Sequence, residues 1–285
     1  MKKTLPLSAP LTLVIAMSLV WVSIRSAYAA DKDLERPTVF QAAGPDAASI
    51  QGTVDAFRAA LGAPNNANTA GPLGSGRREI NWDGGGANVT TDTPVTPFVV
   101  FLNTRGAQFT TPGTGLSQAP PSGGAQGGLA TLFNNPNYAT AFVPFSPLRL
   151  FTPVGSRVTE GNFFVPGTNG AAPAAVSGFG AVFSGVDLPD GSGSILTRGN
   201  RHASTRSDFF GADKHNRERL LFTAFVPASP GDGSLSFLGI LFDSARITHV
   251  RIIAGNVAPG PNEDRRHDVV MMDDFLYGEP QPTAN

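Results

Sequence analysis

The 285-residue chain contains no cysteine, and charged residues make up only 15% of it. The missing cysteines exclude a disulfide-stapled scaffold, and the absence of blocks of like charge excludes a polyelectrolyte tail or a typical disordered segment. A net charge of −1 leaves no basic stripe for nucleic acid. What the chain has in quantity is glycine and proline, 33 and 24 residues. Both interrupt helices, so a mostly helical protein is excluded as well.

The first thirty residues have the pattern of a secretory signal peptide. Lys2 and Lys3 form a basic start, residues 11–22 are apolar apart from Thr12 and Ser18, and Ala27 and Ala29 offer small side chains for cleavage. An apolar run of this length is shorter than the roughly 20 residues that span a bilayer, so an uncleaved anchor is the weaker alternative. We therefore expect residues 1–29 to be a signal peptide, the protein to be secreted or periplasmic, and no membrane span to remain after cleavage.

Residues 30–76 predict an N-terminal extension with one short helix and a linker. Val54, Phe57 and Leu61 recur at helical spacing before Gly62. Residues 64–76 have the Asn, Ala, Gly and Pro content of a loop, and residues 113–128 are interpreted as a second loop of low complexity. A β-sandwich domain is expected over residues 77–280, followed by a C-terminal tail at residues 281–285.

Short runs rich in Phe, Val, Ile, Leu and Thr predict the strands of that domain. They cover residues 97–102, 162–166, 176–186, 220–226, 235–242, 247–253 and 269–277. Several runs are apolar at both alternating sets of positions, which favours strands buried between two packed layers. The predicted fold class is therefore all-β, an antiparallel β-sandwich with one short N-terminal helix.

Six motifs of the chain suggest a family. They are residues 79–84 (EINWDG), 151–155 (FTPVG), 163–168 (FFVPGT), 178–183 (GFGAVF), 234–239 (SLSFLG) and 268–275 (DVVMMDDF). Over residues 77–280 the chain thereby resembles an uncharacterised family of secreted bacterial jelly-roll domains, often found near PEP-CTERM sorting proteins. The resemblance implies a jelly-roll-like sandwich but no activity, because a fold does not determine function. Residues 199–209 depart from the family as an apparent insertion.

Residues 192–218 form the most basic part of the chain. They carry Arg198, Arg201, Arg206, Lys214 and Arg217, and we expect an exposed loop or hairpin. Two interpretations remain open: a solvated insertion, which we favour, and a patch that grips an anionic polymer.

Acidic residues at two places suggest a structural calcium ion. Asp273 and Asp274 interrupt an apolar strand, which would place them on opposite faces, and an inward carboxylate needs a cation or hydrogen-bond donors. The resemblance implies that an Asp of the last strand binds Ca²⁺ together with acids near the first strand. Glu79, Asn81 and Asp83 alternate with apolar residues there and bear the oxygen ligands that Ca²⁺ prefers. The alternative for these three is the wet face of an edge strand.

Trp82, Tyr138 and Tyr277 are the aromatic residues best suited to stack on sugars, because Trp and Tyr combine an apolar face with a polar tip. They are the predicted ligand-binding residues. For Trp82 the alternation of polar neighbours also favours an inward core position.

No catalytic signature stands out. The chain has no Gly-x-Ser-x-Gly elbow, and its four histidines, 202, 215, 249 and 267, lack paired metal-ligand spacing. His249 lies in a predicted strand and is interpreted as a surface or packing residue. We therefore expect an exported non-enzymatic protein that binds polysaccharide or extracellular matrix, or is structural at the cell exterior. The alternatives are a secreted polysaccharide hydrolase or lyase with acids on the concave sheet face, and an assembly subunit that pairs through strand edges.

Overall fold

A computed structural model describes residues 36–84, 93–124, 127–188, 205–213, 215, 217–261 and 267–283. The predicted signal peptide and residues 192–204 of the basic segment lie outside these ranges. None of the helices in the described ranges has the length and apolar character needed to cross a membrane.

Most of the regular structure in the described ranges is β. The strands are β1 (Thr38–Gly44), β2 (Arg77–Ile80), β3 (Ala107–Thr110), β4 (Gly115–Ala119), β5 (Leu150–Val154), β6 (Val158–Phe163), β7 (Ala174–Ala175), β8 (Gly178–Ser184), β9 (Arg206–Ala212), β10 (Glu218–Phe225), β11 (Leu235–Leu241), β12 (His249–Ile253), β13 (Met271–Gly278) and β14 (Gln281–Pro282). The helices are α1 (Ala47–Leu61), α2 (Leu102–Arg105), α3 (Gly128–Leu132) and α4 (Tyr138–Ala141).

Two antiparallel sheets form the body of the fold. The seven-stranded sheet has the order β1-β11-β8-β13-β5-β4, with β2 paired to β13, and the five-stranded sheet has the order β10-β9-β12-β6-β3. Strands β14 and β7 form a separate pair. The all-β sandwich predicted from the strand runs is confirmed, while the jelly-roll topology stays a prediction.

The main core lies between the two sheets. Alternating positions of each strand point inward, and the largest cluster of buried apolar residues joins both sheets. The seven-stranded sheet contributes Phe151, Phe179, Phe183, Ile240, Met272 and Phe275, and the five-stranded sheet contributes Phe109, Phe163, Phe209, Val250 and Ile252.

The other face of the seven-stranded sheet is covered too. Helix α1 packs Ile50, Val54 and Phe57 against it, and α3 and α4 cover its other end with a second apolar cluster. Phe57 packs against Gly239, which has no side chain. A Cβ at Gly239 would lie 2.8 Å from Cδ2 of Phe57. Helix α1 was predicted only from its last turns, and its buried stripe confirms the helical spacing of Val54 and Phe57.

Residues 36–76 correct the predicted domain boundary at residue 77. Strand β1 pairs with β11 over seven positions, and α1 packs on the same sheet, so this segment belongs to the sandwich. Residues 64–76 are a loop with one isolated bridge, but buried Arg78 donates to the carbonyl oxygens of Ala67 and Thr69 at 2.8 and 2.7 Å. Part of the predicted tail is ordered as well, because Gln281 and Pro282 form β14.

Two predictions of local structure are wrong: a predicted strand is absent, and a predicted loop contains a strand. Residues 97–102 contain no strand, although Phe98 and Phe101 are buried, because apolar side chains alone do not distinguish a buried loop from a strand. Residues 113–128, predicted to be a loop, contain the fully buried strand β4. By contrast, the predicted strand over residues 235–242 is confirmed as β11 with a one-residue difference at its end.

Candidate functional site

The acidic pair of β13 lies in a β-bulge. Asp273 pairs with Val182 and Phe275 with Ala181, so Asp274 is the extra residue, with φ of +23°. The bulge keeps Phe275 directed into the core between the sheets. The expectation that a regular strand would place the two acids on opposite faces is wrong, because both carboxylates accept hydrogen bonds from Ser146 and both are buried.

The two acids and Asp83 hold one loop, residues 145–149. Asp273 Oδ2 accepts hydrogen bonds from the backbone N–H groups of Phe145 (2.7 Å) and Ser146 (3.1 Å). Asp274 Oδ1 accepts one from the Ser146 hydroxyl at 2.5 Å. Asp83 Oδ1 accepts from the N–H of Leu148 and, at 3.0 Å, from that of Arg149. The acids therefore satisfy loop amides that have no sheet partner.

A guanidinium lies where a cation was expected. Arg58 of α1 donates from Nε to Glu79 Oε2 at 3.1 Å and from Nη2 to Asp274 Oδ2 at 3.2 Å. The second Glu79 oxygen accepts from Arg77 Nε at 2.6 Å. Arg58 thus compensates two of the four carboxylates.

The five predicted calcium ligands come together, but their donor set does not fit the ion. The remaining oxygens of Asp83 and Asp273 accept from Asn81 Nδ2 (3.1 Å) and from the N–H of Asp274 (2.8 Å). Every carboxylate oxygen of the four acids therefore already has a donor from the chain, whereas Ca²⁺ takes six to eight oxygens as its own ligands. In the part of the chain that the structure describes, no group of three or more His, Cys, Asp or Glu side chains could hold a metal.

Burial raises the pKa values of the two acids in β13, Asp273 and Asp274. It raises the pKa of Asp273 well above its usual value, and the neighbouring Asp274 carboxylate raises it further. Burial also raises the pKa of Asp274, against hydrogen bonding from Ser146 and the charge of Arg58.

The prediction that three aromatic residues stack on sugars is wrong. Trp82, Tyr138 and Tyr277 are all 0% exposed. Trp82 is stacked on Phe151 at 3.7 Å between ring centroids, and the hydroxyls of Tyr138 and Tyr277 donate to backbone carbonyls. Buried rings offer no face to a ligand, so these three residues do not form a platform. The inward alternative for Trp82 is confirmed.

The five-stranded sheet carries a different set of side chains on its solvent side, which we call the outer face. Residues paired across strands have side chains on the same face, and the inward neighbours are the core residues named above. One row across the sheet is Gln108, Asn162, His249, Phe210 and Leu220. The next row is Thr110, Glu160, Arg251, Asp208 and Thr223.

Ion pairs organise the centre of the outer face. Glu160 binds His249 Nε2 through Oε2 and Arg251 Nε through Oε1, both at 2.7 Å. Phe210 stacks on the His249 ring at 4.9 Å, and Arg251 lies over the same Phe210 ring at 5.5 Å. Although burial opposes it, hydrogen bonding from His249 and Arg251 keeps the pKa of Glu160 below its usual value. This carboxylate is therefore held ionised.

A pocket of about 360 Å³ opens at one end of the outer face. Its polar lining residues are Asn162, Glu218, Thr248, His249 and Thr283, and its apolar lining residues are Phe163, Phe164, Pro173, Ala174 and Ala212. This volume lies in the range of small-molecule sites, which combine apolar walls with a few convergent polar groups. The pocket and the two rows together are the candidate ligand-binding site.

Sequence reasoning missed this site. His249 was interpreted as a surface or packing residue, and Glu160, Asn162 and Phe210 were not singled out. The alternation of polar and apolar residues in β6 and β12 predicts an outward polar face, but the row appears only when the pairing register of five strands is known. The described end of the basic segment forms β9 and the start of β10, where Arg206 and Arg217 pair with Asp208 and Asp213.

Comparison with known proteins leaves the site to be interpreted from its own chemistry. No protein-family model matches the chain, and no curated protein is similar to it in sequence.

Proposed function

We propose that the protein is an exported, non-enzymatic β-sandwich that binds a polysaccharide at the cell exterior through the outer face of its five-stranded sheet. One observation carries the proposal. The seven-stranded sheet is covered on both sides, whereas the outer face presents two rows of mainly polar side chains, one of which reaches a pocket through Asn162 and His249. Export rests on the signal-peptide pattern of residues 1–29.

The chemistry of the outer face suits a hydroxyl-rich polymer. Gln108 and Asn162 carry amides that both donate and accept. Neighbouring strands are about 4.8 Å apart, so five strands present a surface roughly 20 Å wide. An extended glycan of several units fits such a surface better than a single small molecule does.

Hydrolysis is the second candidate, because Glu160 and Glu218 both face His249 on this sheet. A glycosidase needs one carboxylic acid with a raised pKa to protonate the leaving group. The pKa of Glu160 is shifted the other way, and its two oxygens are bound to His249 and Arg251. These contacts support binding over catalysis.

A glycan array followed by titration calorimetry tests the proposal on the chain without residues 1–29. Asn162→Ala should weaken binding of the captured polymer at least tenfold, because its amide lies at the pocket. Gln51→Ala, an exposed substitution on α1 at the opposite side of the sandwich, should bind as the wild type does. Capture of no polysaccharide or matrix polymer, or equal affinity of Asn162→Ala and wild type, would refute the proposal. Release of reducing ends from the polymer would favour the hydrolase.

A further inference from the structure

Strand β1 forms an open edge of the seven-stranded sheet. It pairs with β11 on one side, and within the described ranges no backbone hydrogen bond joins its other side to another segment. Phe40 and Ala42 pack under helix α1, so Val39 and Gln41 point to the opposite face. Val39 is 41% exposed and Gln41 is exposed as well, which means that the five-stranded sheet does not cover this edge.

The other edges of the two large sheets are covered or irregular in the part of the chain that the structure describes. Residues 65, 95 and 98 form isolated bridges to β2, β4 and β3. Strand β10 has a register shift between Leu220 and Phe222 and carries Glu218 and Arg219. Bulges and charges of this kind keep edge strands from pairing with other chains. Strand β1 has neither, because its register is unbroken over seven positions and none of its residues is charged.

The sequence around β1 is complementary to itself when two copies run antiparallel. With the two Gln41 residues opposite each other, residues 38–40 of one copy face the small residues 42–44 of the other. Two residues further out, Arg36 lies opposite Asp46, and both are exposed. Opposite charges therefore meet at each end of a seam about 24 Å long, and no like charges face each other along it.

Helix α1 leaves room for a second copy beside β1. Its Arg58 reaches across the sheet to Glu79 and Asp274, so the opposite flank of the helix overhangs the open edge. With 3.6 residues per turn, the residues on that flank are Ser49, Thr53, Ala56 and Ala60. All four are small and uncharged, which allows the two helices to lie side by side above a joined sheet.

We propose that two copies of the chain associate through β1, with the two strands antiparallel and Gln41 at the two-fold axis. The pairing joins the two seven-stranded sheets into one and gives partners to backbone N–H and C=O groups at the open edge. Because this axis is perpendicular to the sheet, the outer faces of both copies lie on the same side of the dimer. The association does not depend on what the outer faces bind.

Light scattering coupled to size-exclusion chromatography tests the proposal on the chain without residues 1–29. The measured mass should approach that of two chains as the concentration rises. The mass of one chain at every concentration overturns the proposal. A mass that continues to grow beyond two chains overturns it as well, because two-fold pairing uses up the edge.

Gln41→Lys should leave the protein monomeric at concentrations where the wild type is dimeric, because two like charges then lie opposite each other. A lysine can still donate to the carbonyl oxygen of Phe225, as Gln41 does, so the fold of the single chain should be kept. A thermal melt checks this. Persistence of the dimer in this variant would place the interface elsewhere.

Charge exchange separates a lost interface from a damaged one. Gln41→Glu alone should also be monomeric, whereas an equimolar mixture of Gln41→Lys and Gln41→Glu should recover the mass of two chains, since opposite charges then meet at the axis. Leu220→Lys is the matched control, because it adds the same charge to β10 at a side chain that is 51% exposed, and it should stay dimeric. A mixture that remains monomeric, or dissociation by Leu220→Lys, contradicts pairing through β1.

Discussion

The ion pair between Arg78 and Glu279 offers a direct test of how residues 66–78 are held against the C-terminal end of β13. The guanidinium is 0% exposed and the carboxylate 2%. Two hydrogen bonds of 2.6 Å join them, from Nε to Oε2 and from Nη2 to Oε1. The same carboxylate accepts from Asn66 Nδ2 at 2.9 Å and from the N–H of Leu73 at 3.2 Å. Replacing Glu279 by glutamine would leave the buried guanidinium without a counter-charge.

The magnitude follows from the burial of both groups. Removing one partner of a buried ion pair costs about 3–5 kcal/mol, because the other charge stays in the interior uncompensated. For a domain of 150–250 residues, each kcal/mol shifts the Tm by about 2–4 °C. Glu279→Gln should therefore lower the Tm by about 6–20 °C.

Differential scanning calorimetry of the chain without residues 1–29 measures this shift. Arg217→Gln is the control, since it breaks the ion pair with Asp213 while 74% of the Arg217 side chain is exposed, and exposed pairs contribute little. The control should melt as the wild type does. A fall of less than about 3 °C for Glu279→Gln would show that the buried pair does not hold this part of the fold.

Three further predictions concern the bulge and the helix. Because burial raises the pKa of Asp273 above its usual 3.8, the folded state binds more protons than the unfolded state as the pH rises past that value, and stability falls. The Tm of wild type minus that of Asp273→Asn should therefore decrease from pH 3.5 to pH 7, and a constant difference would contradict this. Gly239→Ala should cost about 1–3 kcal/mol in urea unfolding, because its Cβ would meet the Phe57 ring; unchanged stability would contradict that packing. Melting in Ca²⁺ and in EDTA should give identical midpoints, and a higher midpoint in Ca²⁺ would restore the predicted ion.

The sequence predicted those helices and strands whose own residues show a clear apolar pattern. The spacing of Val54 and Phe57 predicted helix α1, and apolar runs predicted β8, β11, β12 and β13 to within a few residues. Strand β1 was missed because its polar and small residues (TVFQAAG) show little periodicity, and its stability comes from pairing with β11. Sequence-local reasoning does not detect pairing between distant segments.

The candidate site was harder to predict for the same physical reason. Glu79, Asn81, Asp83, Asp273 and Asp274 were predicted as one calcium site, but Arg58, which pairs with Glu79 and Asp274, comes from a helix that was predicted to belong to a separate segment. A bulge of one residue then changed which side of β13 its acids occupy. The outer face depends on the register of five strands, so its residues gave no contiguous motif.

The pairing of β1 with β11 also bears on when this protein can fold. Gln41 in β1 donates to the carbonyl oxygen of Phe225, which is 184 residues later in the chain. During synthesis, β1 and the apolar stripe of α1 therefore emerge long before the strands that cover them. Contacts of such high sequence separation slow folding, and an incomplete sheet exposes edges that can pair with other copies. The nascent chain should depend on a holding chaperone until β11 has been made.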